Sequence, residues 1–178
     1  MRRLFDPPAG FYTPDDLGWL RDETGIADLE LDPWGSLIAF PTDDDHETAA
    51  LVLARQAIDR LSHVVSVNGY AWTVPGGTGY VMTPDLVVLA RGWRRAHELH
   101  FDPPPLLVVE IAARSSRGVD RTRKMADYRL GGAALYLLVD LPGSFELHDF
   151  ATGEIVTATG AIDLVVGGEP VRFTLPAA

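Results

Sequence analysis

The chain has 178 residues, 47% of them hydrophobic, no cysteine and a formal net charge of −10. That length suits one domain with a real core, the missing cysteines exclude disulfides and thiolate metal centres, and the acidity disfavours nucleic-acid binding over the surface as a whole. The opening MRRLFDPPAG has no apolar h-region, so it is not a signal peptide, and no apolar run approaches the roughly 18 residues of a membrane span; a cytoplasmic protein with no membrane partner is expected.

Taken in order, residues 1–28 are rich in Pro, Gly and Asp and read as an N-terminal extension. Thr13, Pro14, Asp15 and Asp16 have the pattern of a helix start, with Leu17 and Leu20 directed inward. LELD, a turn at Pro33-Trp34-Gly35 and SLIAF predict a short hairpin. The stretch ETAALVLARQAIDRLSH carries Ala50, Leu51, Leu53, Ala54, Ala57, Ile58 and Leu61 at helical spacing. His46 and Glu47 at its start fit capping and solvation at the positive end of the helix dipole; the other use open to Glu47 is to help hold a cation. VVSVNGYAWTV predicts a strand, Pro75 to Gly79 a hairpin turn, and Tyr80 to Ala90 a second long strand. His97 and His100 fall in a loop without a third ligand for a metal. Leu106 to Ala112 is an apolar strand buried on both faces. A helix from about Asp120 to Leu130 would bury Val119, Met125, Ala126 and Leu130 and end at Gly131-Gly132. Ala134 to Asp140 is another core strand, and FELHDF, EIVTA and VRFTL read as short outer strands. With no repeat or linker, one domain spanning 1–178 is expected.

Two carboxylates break the apolar strands: Asp85 at the start of DLVVLA and Glu110 at the end of LLVVE. Buried carboxylates need a cation, a donor or a metal. Asp120, Lys124 and Tyr128 follow four apart, which sets them along one helix face. Lys124 is the only lysine among fifteen basic residues, and a compact ammonium does what a planar guanidinium does not. Asp120 can equally serve as a helix cap, and Tyr128 as a packing residue. Residues 91–130 hold nine basic and five acidic residues, net +4, against six basic and twenty acidic, net −14, elsewhere. Arg117, Arg121 and Arg123 are the candidate phosphate contacts in that positive stretch.

The set Pro84-Asp85, Glu110 and Asp120-x-x-x-Lys124-x-x-x-Tyr128 resembles the core of PD-(D/E)XK nucleases, and more narrowly the Uma-two type restriction endonuclease family. Ala112 stands where the wider superfamily has its lysine, and Lys124 would substitute from the next helix. The resemblance implies an α/β fold, a restriction-endonuclease-like mixed β-sheet flanked by helices with extra outer strands. It also implies Mg²⁺ or Mn²⁺ held by Asp85, Glu110 and the carbonyl of Ile111, with Lys124, Asp120 and Tyr128 completing the catalytic set and DNA as substrate. Two other readings stay open: a catalytically inactive nuclease-like nucleic-acid-binding module, which the overall acidity favours, and a dimer-forming structural protein. A homodimer through the outer strands is compatible with each.

Overall fold

A computed structural model of the chain describes residues 16–26, 29–31, 37–39, 44–67, 72–73, 81–95, 101–112, 120–141 and 143–175. The turn at 75–79, His97, His100, Arg117 and Val119 lie outside them, as do the side chains of His46 and Asp120.

The centre is a six-stranded mixed sheet. Its strands are β3 (Val64–Val67), β4 (Leu86–Leu89), β7 (Leu107–Ala112), β8 (Leu135–Asp140), β9 (Ser144–Asp149) and β10 (Ile155–Thr159), in the order β10-β9-β8-β7-β4-β3, while the short β5 (Arg94–Arg95) and β6 (Phe101–Asp102) form a separate antiparallel pair. β7 and β8 run parallel, and every other neighbouring pair runs antiparallel. Because β7 and β8 are parallel, the chain between them must cross over one face of the sheet. That crossover carries a wide i→i+5 turn, Asp120–Lys124, running into helix α3 (Met125–Leu130). The helix ends at Gly131 and Gly132, as expected, and Gly132 takes φ +81°.

One face of the sheet is closed by helix α2 (Asp44–Arg60) and by a hairpin of β11 (Ala161–Val166) and β12 (Glu169–Thr174). Leu53, Ala57, Leu86, Val88, Leu107, Val109, Ile111, Leu137, Val139, Phe145 and Phe173 share this apolar layer. Gln56 ties α2 to β12 through a reciprocal amide pair, its Nε2 donating to the Thr174 carbonyl at 3.0 Å and its Oε1 accepting from Thr174 N at 2.9 Å. Glu47 is exposed on this helix, in keeping with the solvation reading. A second unit joins helix α1 (Asp16–Thr24) to the antiparallel hairpin β1 (Leu29–Leu31) and β2 (Leu37–Ala39), where Leu17, Leu20, Leu29, Leu31 and Leu37 pack with Val81. Backbone bonds between Leu31 and Val81 (3.2 and 3.1 Å) fasten β1 to the segment just upstream of β4. No helix among the described residues is long and apolar enough to cross a membrane.

Three expectations are corrected. The strand expected from Tyr80 to Ala90 is broken: Val81 and Met82 make isolated bridges, and β4 begins only at Leu86. Pro84 has no N–H for a ladder, so regular pairing stops there. Helix α3 does not bury Ala126 and Leu130, which are exposed; Asp127 and Tyr128 in the helix, and Lys124 just before it, face inward. The polar cluster beneath it, rather than its apolar residues, selects that face. Finally, AIDLVV is strand β11, absent from the sequence reading although Ile162, Leu164 and Val166 alternate inward at period two.

Candidate active site

Carried one pair beyond Leu86↔Val109, the β4–β7 register sets Asp85 opposite Glu110. Directly opposed residues of an antiparallel pair point to the same face. That face is the one under α3, where Val87, Leu89, Val108, Ala112, Tyr128, Tyr136 and Leu138 lie. Ile111 N donates to Asp85 Oδ2 at 2.6 Å, while Pro84, just before Asp85, has no N–H to offer a neighbouring strand. The Pro-Asp pair thus ends the ladder and replaces its last backbone acceptor with a carboxylate.

The crossover brings Lys124 over Glu110. Its Nζ lies 3.1 Å from Glu110 Oε2 and 2.7 Å from Glu30 Oε1. The Tyr128 hydroxyl donates to Glu110 Oε1. Lys124, Glu30, Asp85 and Glu110 are all buried, each 3% exposed or less. Burial, and after it the charge of Glu110, holds the Tyr128 phenol well above its ordinary pKa, so it stays protonated and donating. The aromatic floor is Trp72 stacked on Tyr128 (ring centres 5.0 Å apart) and edge-on to Phe101 (5.2 Å), with Tyr136 at 5.8 Å from Tyr128. These rings keep water from the back of the cluster and fix the Tyr128 ring.

The structure therefore brings together Asp85, Glu110, Ile111, Lys124 and Tyr128. The side chain of Asp120 and all of Arg117 lie outside the described residues. Arg123 is exposed. Arg121 ion-pairs with Glu146 (3.5 Å) and Asp140 (3.8 Å). Arg94 pairs with Asp102 at 2.8 Å, and Arg91 Nε donates to the Ser62 carbonyl at 2.5 Å. Much of the positive charge counted in residues 91–130 is thus engaged by the protein's own acceptors.

Sequence reasoning missed Glu30. An acid between two leucines in LEL has its neighbours on one face of the strand and itself on the other, which was the available signal. The ladder from Leu31 to Val81 then carries it to the site. Asp127, also buried, was missed too.

All-oxygen chemistry makes the cluster suitable for a hard divalent ion. Asp85 and Glu110 lie on one face of the sheet, Asp85 bonded to the Ile111 backbone, and Glu30, Asp85, Glu110 and Lys124 together carry a formal charge of −2 when ionised. Among the described residues no group of three or more His, Cys, Asp and Glu is arranged as a ready metal cage.

No curated protein matches the chain. Among solved structures, a crystal structure described as a putative nuclease belonging to DUF820 from Anabaena variabilis ATCC 29413 is similar at 13% identity. The likeness covers 74% of this chain and 76% of that one with a TM-score of 0.58, so it bears on the fold. The profile of the Uma2 family, described as "Putative restriction endonuclease", matches residues 19–154, a span holding Glu30, Asp85, Glu110, Lys124 and Tyr128. The chain belongs to the Uma2 family.

Proposed function

We propose that the protein is a metal-dependent endonuclease that hydrolyses DNA phosphodiester bonds. One observation carries this reading: a buried ammonium, Lys124, is held between Glu30 and Glu110 on the sheet face that Asp85 shares. A protein that needed only a stable fold would gain more from apolar residues at these positions, since buried ion pairs are poor stabilisers.

Asp85, Glu110 and the carbonyl of Ile111 would hold Mg²⁺ or Mn²⁺. Bound there, such an ion supplies Lewis acidity that polarises a phosphodiester and acidifies water. The rest falls to the chain. Ile111 N locks the rotamer of Asp85 through its 2.6 Å bond. Tyr128 locks that of Glu110 by donating to Oε1. Glu30 holds the Lys124 ammonium at 2.7 Å as a second carboxylate beside Glu110, so the cation is positioned before substrate arrives. A prepositioned cation needs no reorganisation as negative charge develops on the phosphate oxygens. The aromatic floor shields the cluster from bulk water, which strengthens these interactions.

Nicking of supercoiled plasmid in Mg²⁺ or Mn²⁺ tests the proposal. Wild type should nick; Glu110→Ala should give only background; Lys124→Arg should fold and fall by about 10²-fold, the scale of losing one placed electrostatic donor. Lys124→Arg cutting like wild type would remove Lys124 from the mechanism. The alternative read from the sequence, a binding module that does not cut, makes the opposite forecast. Wild type that binds DNA yet nicks nothing would favour it.

A further inference from the structure

The row that holds Asp85 and Glu110 continues across the sheet. Glu110 pairs with Leu138, Leu138 with Glu146, and Glu146 with Thr157. The next row runs Ala112, Asp140, Ser144, Thr159. Strands are spaced about 4.8 Å apart, so Glu146 stands about 10 Å from Glu110 on the same face. Over these two rows lies a cavity of about 290 Å³. Its polar lining is Arg121, Asp140, Ser144, Glu146, Thr157 and Thr159. Arg121 leans in from the turn that carries Lys124, one helical turn before it.

The lining selects a ligand by its chemistry. Two carboxylates against one guanidinium make a poor home for a phosphate, which they repel. They are good acceptors for an exocyclic amino group, as carboxylates are for N4 of cytosine. The three hydroxyls donate or accept and so do not discriminate. The Arg121 guanidinium offers a flat cation against which a base can stack. Glu146 is held in place from both sides, by His148 Nε2 at 2.8 Å from Oε1 and by Arg121 at 3.5 Å from Oε2, so it is an oriented acceptor. The volume sits at the lower end of small-molecule pockets, about 300 Å³, which suits one base. A separation of about 10 Å is about three stacked nucleotides at 3.4 Å each, and fewer in an extended strand.

Resting on the endonuclease reading, we propose that this cavity is a subsite for a single unstacked nucleobase bearing an exocyclic amino group, a few nucleotides from the bond that is cut. The substrate it implies is single-stranded or locally opened DNA, because a base inside a duplex cannot enter. Thymine, which has no amino group, is disfavoured.

The test uses fluorescence anisotropy of wild type with short labelled oligonucleotides of deoxycytidine, deoxyadenosine and thymidine in EDTA, so that binding is read without cleavage. Oligo-dC or oligo-dA should bind about tenfold tighter than oligo-dT, the scale of one good base contact. Asp140→Leu with Glu146→Met removes both acceptors at similar volume and should bring the affinities within about twofold of each other. Thr157→Trp, at an exposed position, fills the cavity by a separate route and should do the same. Equal affinities in wild type, no binding of any oligomer, or a preference that survives both variants would each overturn the subsite. So would inorganic phosphate competing in wild type but not in the variants, which would assign the cavity to an anion. Plasmid nicking run in parallel separates the two claims. Nicking without base preference sinks the subsite alone, and base preference without nicking sinks the endonuclease reading alone.

Discussion

The two faces of the central sheet are built from the same strands and do different work. In β7, Leu107, Val109 and Ile111 enter the apolar layer under α2, while Val108, Glu110 and Ala112 face α3. In β8, Leu137 and Val139 go one way, and Tyr136 and Leu138 the other. The first face is aliphatic and closed on top by a helix and a hairpin, and its burial supplies folding energy at about 25 cal/mol per Å². The second is aromatic and carries Glu30, Asp85, Glu110 and Lys124, whose desolvation opposes folding. The strand's period of two lets one sequence satisfy both demands, with stability on one face carrying the electrostatic strain of the other.

Substitutions matched across the sheet would sharpen or break this contrast. The largest effect on the site face should come from Lys124→Ala. It leaves Glu30 and Glu110 facing each other without their shared ammonium, and should cost about 3–5 kcal/mol of stability by chemical denaturation. Leu137→Ala, on the opposite face and 0% exposed, should cost about 2–5 kcal/mol through the cavity it leaves. Glu110→Gln removes a negative charge from a cluster of formal charge −2 and should change stability by less than about 1 kcal/mol, in either direction. A cost for Glu110→Gln as large as that for Lys124→Ala would mean that the carboxylates stabilise the fold, and the division of labour would fail.

Next in size is the effect on metal uptake. By calorimetric titration with Mn²⁺, Asp85→Ala and Glu110→Ala should each lose at least about tenfold in affinity, while Leu137→Ala, where it folds, should bind as wild type does. Equal binding by all of them would move the ion away from Asp85 and Glu110.

The smallest effect is alkaline. The Tyr128 phenol is raised above its ordinary value of 10.0, chiefly by burial and then by Glu110. Its contribution to stability is fully present below the unfolded pKa. Above about pH 10 the unfolded chain releases this proton while the folded chain keeps it, so stability falls with pH by up to about 1.4 kcal/mol per unit. Tyr128→Phe, which keeps the stacked ring, should remove that slope and raise the pH midpoint of alkaline unfolding. An unchanged midpoint would mean that the hydroxyl is not sequestered.

Some of this was legible in the chain alone. The helical period of 3.6 located α2, and short apolar runs bounded by turn residues located β7 and β8, because burial on one face or on both imposes those patterns directly. Asp85 and Glu110 stood out as charges in apolar strands, and Lys124 as the one lysine. Three things were decided only by the tertiary structure. Glu30 is eighty residues from Glu110 and looks like any strand acid until the Leu31–Val81 ladder carries it to Lys124. Arg121 counts as positive charge in the sequence but is engaged by Glu146 and Asp140, which reach it from two strands. The crossover presents Lys124, Asp127 and Tyr128 inward rather than Ala126 and Leu130. The reason is common to all three: periodicity records which face of an element is buried, whereas a charge finds its partner through space, across strands whose order no local pattern contains.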